Sequence, residues 1–302
     1  MDAKNIALET GAVMPLIGLG TWMSEPEEVA DAVEYAVKEC GYMHIDCAPA
    51  YENEAAIGRG LARAFASGQA SRNEIFITSK LPNMAHSAED VLPTCEATLN
   101  SLGTEYLDLY LIHWGLATKE GHREAELLKI PIRETWEAME RLVKSGLVKA
   151  IGVANFTAPM LIDLLSYAKT HPAVNQIELH PYLQQPRVVA FCQSRGIAVT
   201  AYSPLGRPGA HLAERAPKIV EDPVIRRIAE THGKTPAQVA LRWGIQRNTV
   251  VIPKSTHKER VHENIGIFDF ALSQEEMSAI AGLDRHLRLV DPYIWADIPY
   301  FD

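Results

Sequence analysis

The sequence predicts an α/β fold, with eight parallel strands closed into a (β/α)8 TIM barrel and residues 1–302 forming a single domain. Three observations predict it. Apolar runs of strand length alternate with segments of helical period along the chain. The runs are continuous instead of alternating polar with apolar, which suits strands covered on both faces. Eight such runs can be counted in 302 residues, a length that one barrel routinely fills. An open doubly wound sheet is the competitor that counting leaves standing.

In chain order, a short N-terminal segment carries Gly11 and a Gly18-Leu19-Gly20 turn. Strand candidates follow at 42–45, 75–78, 107–112, 148–153, 174–177, 197–202 and 249–252, with a weaker last one at 267–270. One helix candidate places Val29, Val33, Val37 and Cys40 on one face, and another places Ile132, Trp136, Met139 and Val143 so. Thr235 before Pro236 is a cap with a first-turn proline, and Ser273 with Glu276 is a capping box ahead of Met277 and Ile280. Segments 115–129 and 206–220 read as two large loops.

Composition narrows the function classes. A formal charge of −9 repels phosphate backbones and anionic lipid, so neither a nucleic-acid nor a membrane-surface role has electrostatic support. No apolar stretch approaches the roughly 20 residues that span a bilayer. No basic-then-apolar leader opens the chain, and a cytoplasmic address is expected. Four cysteines, Cys40, Cys47, Cys95 and Cys192, are too scattered for a disulfide framework and read as reduced thiols. The histidines show no ligand spacing, so no metal is expected.

In a parallel barrel the chemistry gathers where strands end. The strand ends deliver Asp46, Lys80, His113, Asn155, Gln176 with Glu178, Tyr202 with Ser203, and Lys254. Tyr51 follows Asp46 in a loop. Any one of these is ordinarily a solvated loop residue; their repetition at seven ends is what singles them out. A phenol titrates near about 10, so it is a weak acid at neutral pH unless a nearby ammonium stabilises the phenolate. Lys80 supplies that cation, Asp46 holds it charged, and His113 orients a carbonyl oxygen. Such a set protonates an alkoxide as hydride reaches carbon.

Gly18-Leu19-Gly20-Thr21-Trp22, His44-Ile45-Asp46-Cys47-Ala48 with Tyr51 and Asn53-Glu54, Thr78-Ser79-Lys80-Leu81, and Leu111-Ile112-His113-Trp114 carry a resemblance. So do Gly152-Val153-Ala154-Asn155-Phe156, Gln176-Ile177-Glu178, Ala201-Tyr202-Ser203-Pro204-Leu205 and Ile252-Pro253-Lys254-Ser255. In this order they resemble the signatures of the aldo-keto reductases, aldose and aldehyde reductases included. The resemblance implies a barrel that binds NADPH without a Rossmann domain, and no G-x-G-x-x-G follows a strand here. It also implies Asp46, Tyr51, Lys80 and His113 as the catalytic four. Asn155 and Gln176 match positions that hold the nicotinamide amide, and Tyr202 matches the residue stacked on its ring. Thr21, Ser203 and Leu205 fall in the cofactor cleft. Lys254, Ser255, Arg260 and Asn264 match the grip on the adenosine end and its 2′-phosphate.

The chain departs from the family pattern at three places. Ala154 stands where serine is common, Leu81 leads to Pro82 where a tryptophan often follows the lysine, and Gly115 follows Trp114 where proline is usual. Trp22, Trp114 and Trp295 are the substrate-pocket candidates, and residues 288–302 form a loop over the mouth. The expected activity is NADPH-dependent reduction of aldehydes, aldose sugars included, by a monomer acting on small carbonyl compounds. A ketosteroid or prostaglandin-type ketone reductase is the alternative within catalysis. A redox-sensing nicotinamide-binding subunit is the alternative outside it.

Overall fold

The computed structural model describes residues 4–119, 126–206 and 217–302. A hairpin of β1 (Asn5–Ala7) and β2 (Val13–Pro15) opens the chain, turning at Gly11 with φ +82°. Met14 is buried, and Glu9 lies 3.7 Å from His171, close to Gly196. Residues 171 and 196 precede barrel strands, so the hairpin lies across the N-terminal end of the barrel.

Eight parallel strands follow: β3 (Leu19–Gly20), β4 (His44–Asp46), β5 (Phe76–Leu81), β6 (Leu109–Ile112), β7 (Ile151–Ala154), β8 (Val174–Glu178), β9 (Ala198–Tyr202) and β10 (Thr249–Val251). Each pairs with its sequence neighbours. Parallel bridges Ile17 to Val251 and Gly20 to Lys254 join the last strand to the first. Gly18 N–H donates to Val251 O at 2.9 Å and Val251 N–H to Leu16 O at 2.9 Å, so the sheet closes and leaves no edge to cover. The described helices are α1 (Pro26–Cys40), α2 (Glu54–Ala66), α3 (Val91–Leu102), α4 (Ile132–Lys144), α5 (Ala158–Tyr167), α6 (Pro186–Gln193), α7 (Pro223–His232), α8 (Pro236–Gln246), α9 (Lys258–Ile265), α10 (Gln274–Ala281) and α11 (Pro292–Ala296).

Two expectations fail together. The weak strand at 267–270 is irregular chain: Ile267 N–H turns back to Ile265 O at 2.9 Å, and Phe270 serves as a face for Lys234 and Arg242. The eighth strand is instead β3, inside the segment taken for a glycine turn. Crowding explains those glycines. A Cβ at Gly18 would lie 2.5 Å from the His44 ring, and one at Gly20 would lie 2.7 Å from Ile252 O.

The expected helices form where the period placed them. Val29, Val33 and Val37 bury one face of α1, and Trp136 and Met139 bury that of α4. The cap at Thr235 forms, completed to a capping box by Gln238 at α8, and the expected capping box of Ser273 and Glu276 forms at α10. Gly58 and Gly60 lie in α2, where a Cβ would meet Ser101 O at 2.7 Å and Ala30 O at 2.5 Å; α2 can press between α1 and α3 only without side chains there. All four cysteines are free, three of them buried. Of the two large loops, 120–125 and 207–216 lie outside the described residues; the remainder includes a Thr118–Leu127 bridge and a 3-10 turn at Ile219–Glu221. No described helix is long and apolar enough to cross a membrane.

Candidate active site

The polar residues at the strand ends meet at the C-terminal end of the barrel. Asp46 ends β4, and Lys80 lies on β5, where the alternation that points Ser79 outward points Lys80 inward. Lys80 Nζ donates to Asp46 Oδ1 at 2.5 Å and to Cys47 O at 2.9 Å. The other carboxylate oxygen, Asp46 Oδ2, accepts from Gln176 Nε2 at 2.7 Å. Side-chain exposure of the pair is 1% for Lys80 and 2% for Asp46, so the charges interact with little screening by water. Burial opposes the ammonium, but Asp46 and Tyr51 outweigh it and hold Lys80 above its ordinary range.

Tyr51 closes a 3-10 turn, Pro49–Tyr51, directly after β4. Asn53 pins this loop, its amide donating to Thr21 O at 2.9 Å and to Ser24 O at 3.0 Å, while Thr21 Oγ1 donates to Asp46 O at 2.8 Å. Lys80 Nζ lies 4.9 Å from the Tyr51 ring centroid, and its positive charge acts on the hydroxyl to lower its pKa. His113 meets the Tyr51 ring edge-on at 5.8 Å. The net direction at Tyr51 differs from the expected lowering. Enclosure of the phenol raises it more than Lys80 lowers it, and the group is pushed up to about 12. It therefore stands fully protonated at neutral pH.

Asn155, at φ 64°, donates from Nδ2 to His113 O at 3.0 Å and accepts from Tyr202 OH at 2.8 Å. Ser203 follows in the same left-handed region at φ 49°. Asp46, Tyr51, Lys80, His113, Asn155, Gln176 and Tyr202 thus form one linked cluster, with Thr21 bonded to its rim. Leu205 packs on a small separate core with Tyr182, Ile219 and Ala240. The second set of candidates is Lys254 and Ser255, on the loop after β10, with Arg260 and Asn264 on α9. Lys254 Nζ donates to Met23 O at 3.3 Å across the barrel seam, and Arg260 is exposed.

Trp114 is buried at the mouth and Trp22 half-buried. Trp295 falls in α11, and its side chain lies outside the described residues. Sequence reasoning missed two residues of the C-terminal segment. Tyr300 packs edge-on to Trp114 at 5.3 Å and its hydroxyl accepts the Gly115 N–H at 2.9 Å; Phe301 lies 6.2 Å from Trp114 and 3.6 Å from the Arg288 guanidinium. The glycine at 115 was the available signal, because a proline there has no N–H to give. The segment is held at its other end by Glu178, whose buried carboxylate accepts from Leu289 N–H and Val290 N–H, each at 2.9 Å.

Fold and cluster together define an α/β-barrel protein with a dry lysine–carboxylate pair set against a tyrosine at the strand ends. The model of the Aldo/keto reductase family matches residues 16–285. The rat protein named aldo-keto reductase family 1 member A1 is 46% identical over 309 residues, spanning 98% of this chain and 94% of that protein. Among solved structures, the aldose reductase of Schistosoma japonicum superposes with a TM-score of 0.92 at 40% identity, covering 99% of this chain and 98% of that one. A Bombyx mori aldo-keto reductase in complex with NADP gives 0.91 at 38% identity, covering 100% and 99%. The chain belongs to the aldo/keto reductase family.

Proposed function

We propose that this chain reduces aldehydes to primary alcohols with NADPH, Tyr51 giving its proton to the carbonyl oxygen. The observation that carries the reading is the dry Lys80–Asp46 pair with the ammonium 4.9 Å from the Tyr51 ring. NADPH, when bound, supplies hydride to the carbonyl carbon. A phenol held at about 12 keeps its proton in the resting site yet yields it to an alkoxide, which is the stronger base. Lys80 stabilises the phenolate left behind, and Asp46 keeps Lys80 charged and aimed. His113, facing Tyr51, orients the substrate oxygen.

The residues present fit the cofactor. Lys254 and Arg260 have no carboxylate partner among the described residues, which leaves two cations for a 2′-phosphate, with Ser255 and Asn264 beside them. Gln176 spends its amide N–H on Asp46 and keeps Oε1 to accept from a carboxamide; Asn155 offers the second amide, and Tyr202 a ring to stack on. The family resemblance is what assigns Thr21, Ser203 and Leu205 to the same cofactor cleft. The NADP complex of the silkworm relative supports the same choice. Trp22, Trp114, Tyr300 and Phe301 make the mouth aromatic, which favours apolar aldehydes over open-chain sugars.

The test is NADPH oxidation by the purified chain with benzaldehyde, an alkyl aldehyde, glucose and a ketosteroid. Turnover fastest with the two aldehydes is the expected result. Cofactor binding without turnover of any of the four overturns the reading.

A further inference from the structure

Beside the catalytic cluster lies a crevice of about 270 Å³ that neither Tyr51, Lys80, His113 nor Trp22 lines. It opens between the loops after β7 and β8 and the C-terminal segment. Phe156, Ile177, Val188 and Phe301 supply apolar walls, and Gln185 and Arg288 supply polar ones. Arg288 stacks its guanidinium 3.6 Å from the Phe301 ring centroid. Its one described polar contact is a long one, to Gln185 Oε1 at 3.4 Å. Among the described residues no carboxylate pairs with it. Glu178 also borders the crevice, but its carboxylate is fully buried and accepts from Leu289, Val290 and His180. A half-buried guanidinium without a counter-ion, set in an apolar wall, is a costly arrangement that an anion relieves.

We infer that this crevice is an accessory binding site for a small aromatic carboxylate, separate from the carbonyl pocket. At about 30 Å³ per water the volume holds about nine waters, enough for one ring and its carboxylate. The planar guanidinium matches a carboxylate in two-pronged fashion, and the ring fits between Phe156, Val188 and Phe301. Two walls are shared with the catalytic side. Asn155 lines the crevice while bonding His113 O and Tyr202 OH, and Phe301 packs toward Trp114 at 6.2 Å. An occupant therefore steadies the wall of the carbonyl pocket and alters the KM for aldehyde.

Isothermal titration of benzoate into the full chain tests this without requiring turnover. The expected result is saturable binding that weakens at least about tenfold in Arg288→Met, weakens less in Arg288→Lys, and stays within about twofold in Tyr51→Phe. Neutral benzamide binds wild type and Arg288→Met alike. Val188→Trp fills the crevice from another lining position, so it abolishes benzoate binding while aldehyde turnover continues, and this covers a misfolded Arg288 variant. Benzoate affinity unchanged in both Arg288→Met and Val188→Trp overturns the inference. So does affinity lost in Tyr51→Phe, which puts the anion in the carbonyl pocket, or absence of saturable binding by wild type.

Discussion

The two ends of the barrel carry the same ingredients and put them to different use. At the N-terminal end Asp108 accepts from Arg72 at 2.9 Å and Lys149 at 3.0 Å, and the Tyr106 ring lies 3.9 Å from the guanidinium and 4.0 Å from the ammonium. At the C-terminal end Asp46, Lys80 and Tyr51 repeat the carboxylate, cation and phenol. Water separates the two cases. Lys149 has 46% of its side chain exposed and Lys80 has 1%, so the lower network is screened and the upper one is not. Composition alone does not separate the two clusters; the end of the strand and the exclusion of solvent do.

Substituting each lysine separates the two ends most directly. Lys80→Met leaves Asp46 buried without its cation, and urea unfolding is expected to register a loss of about 3–5 kcal/mol together with loss of turnover. Glu54 sharpens it, because this carboxylate lies just behind the upper cluster with a hydroxyl where Asp46 has an ammonium. Ser79 Oγ donates to it at 2.6 Å, and burial pushes it up to about 7 from an ordinary 4.5. The folded state thus holds the Glu54 proton more tightly than the unfolded chain. The resulting stability is full below about pH 4 and is lost as pH rises through about 7. Glu54→Gln escapes that loss, so its stability relative to wild type should climb across this window by about 3 kcal/mol, read as melting temperature against pH.

Arg260→Leu asks whether the second group is a phosphate grip. Fluorescence titration should give an NADPH Kd about tenfold weaker and an NADH Kd unchanged. The smallest effect belongs to the lower network. Lys149→Met is expected to cost under about 1 kcal/mol and to leave turnover as it was, since a half-exposed pair contributes little.

Much of this layout is legible in the sequence, for physical reasons. Buried parallel strands must be continuous apolar runs, so seven of the barrel strands stand out, and the strand-end rule then names Asp46, Lys80, His113, Asn155 and Gln176. β3 is hidden because its neighbours crowd it down to glycine at 18 and 20, removing the side chains by which a strand is recognised. The run at 267–270 misleads in the opposite sense, since its apolar residues cover helices and cations instead of joining the sheet. At the site, the direction of the Tyr51 shift cannot be read from residue types, because it depends on how much water the fold removes. Tyr300 and Phe301 escape notice because their partners lie far back along the chain, Gly115 being 185 residues from Tyr300, and meet them only in space.

The most direct test of Tyr51 as the acid compares Tyr51→Phe with wild type in single-turnover reduction of benzaldehyde at saturating NADPH. The expected rate is lower by about 10²–10⁴-fold with NADPH affinity retained. A Tyr51→Phe rate within a few-fold of wild type would contradict it and assign the proton to another group.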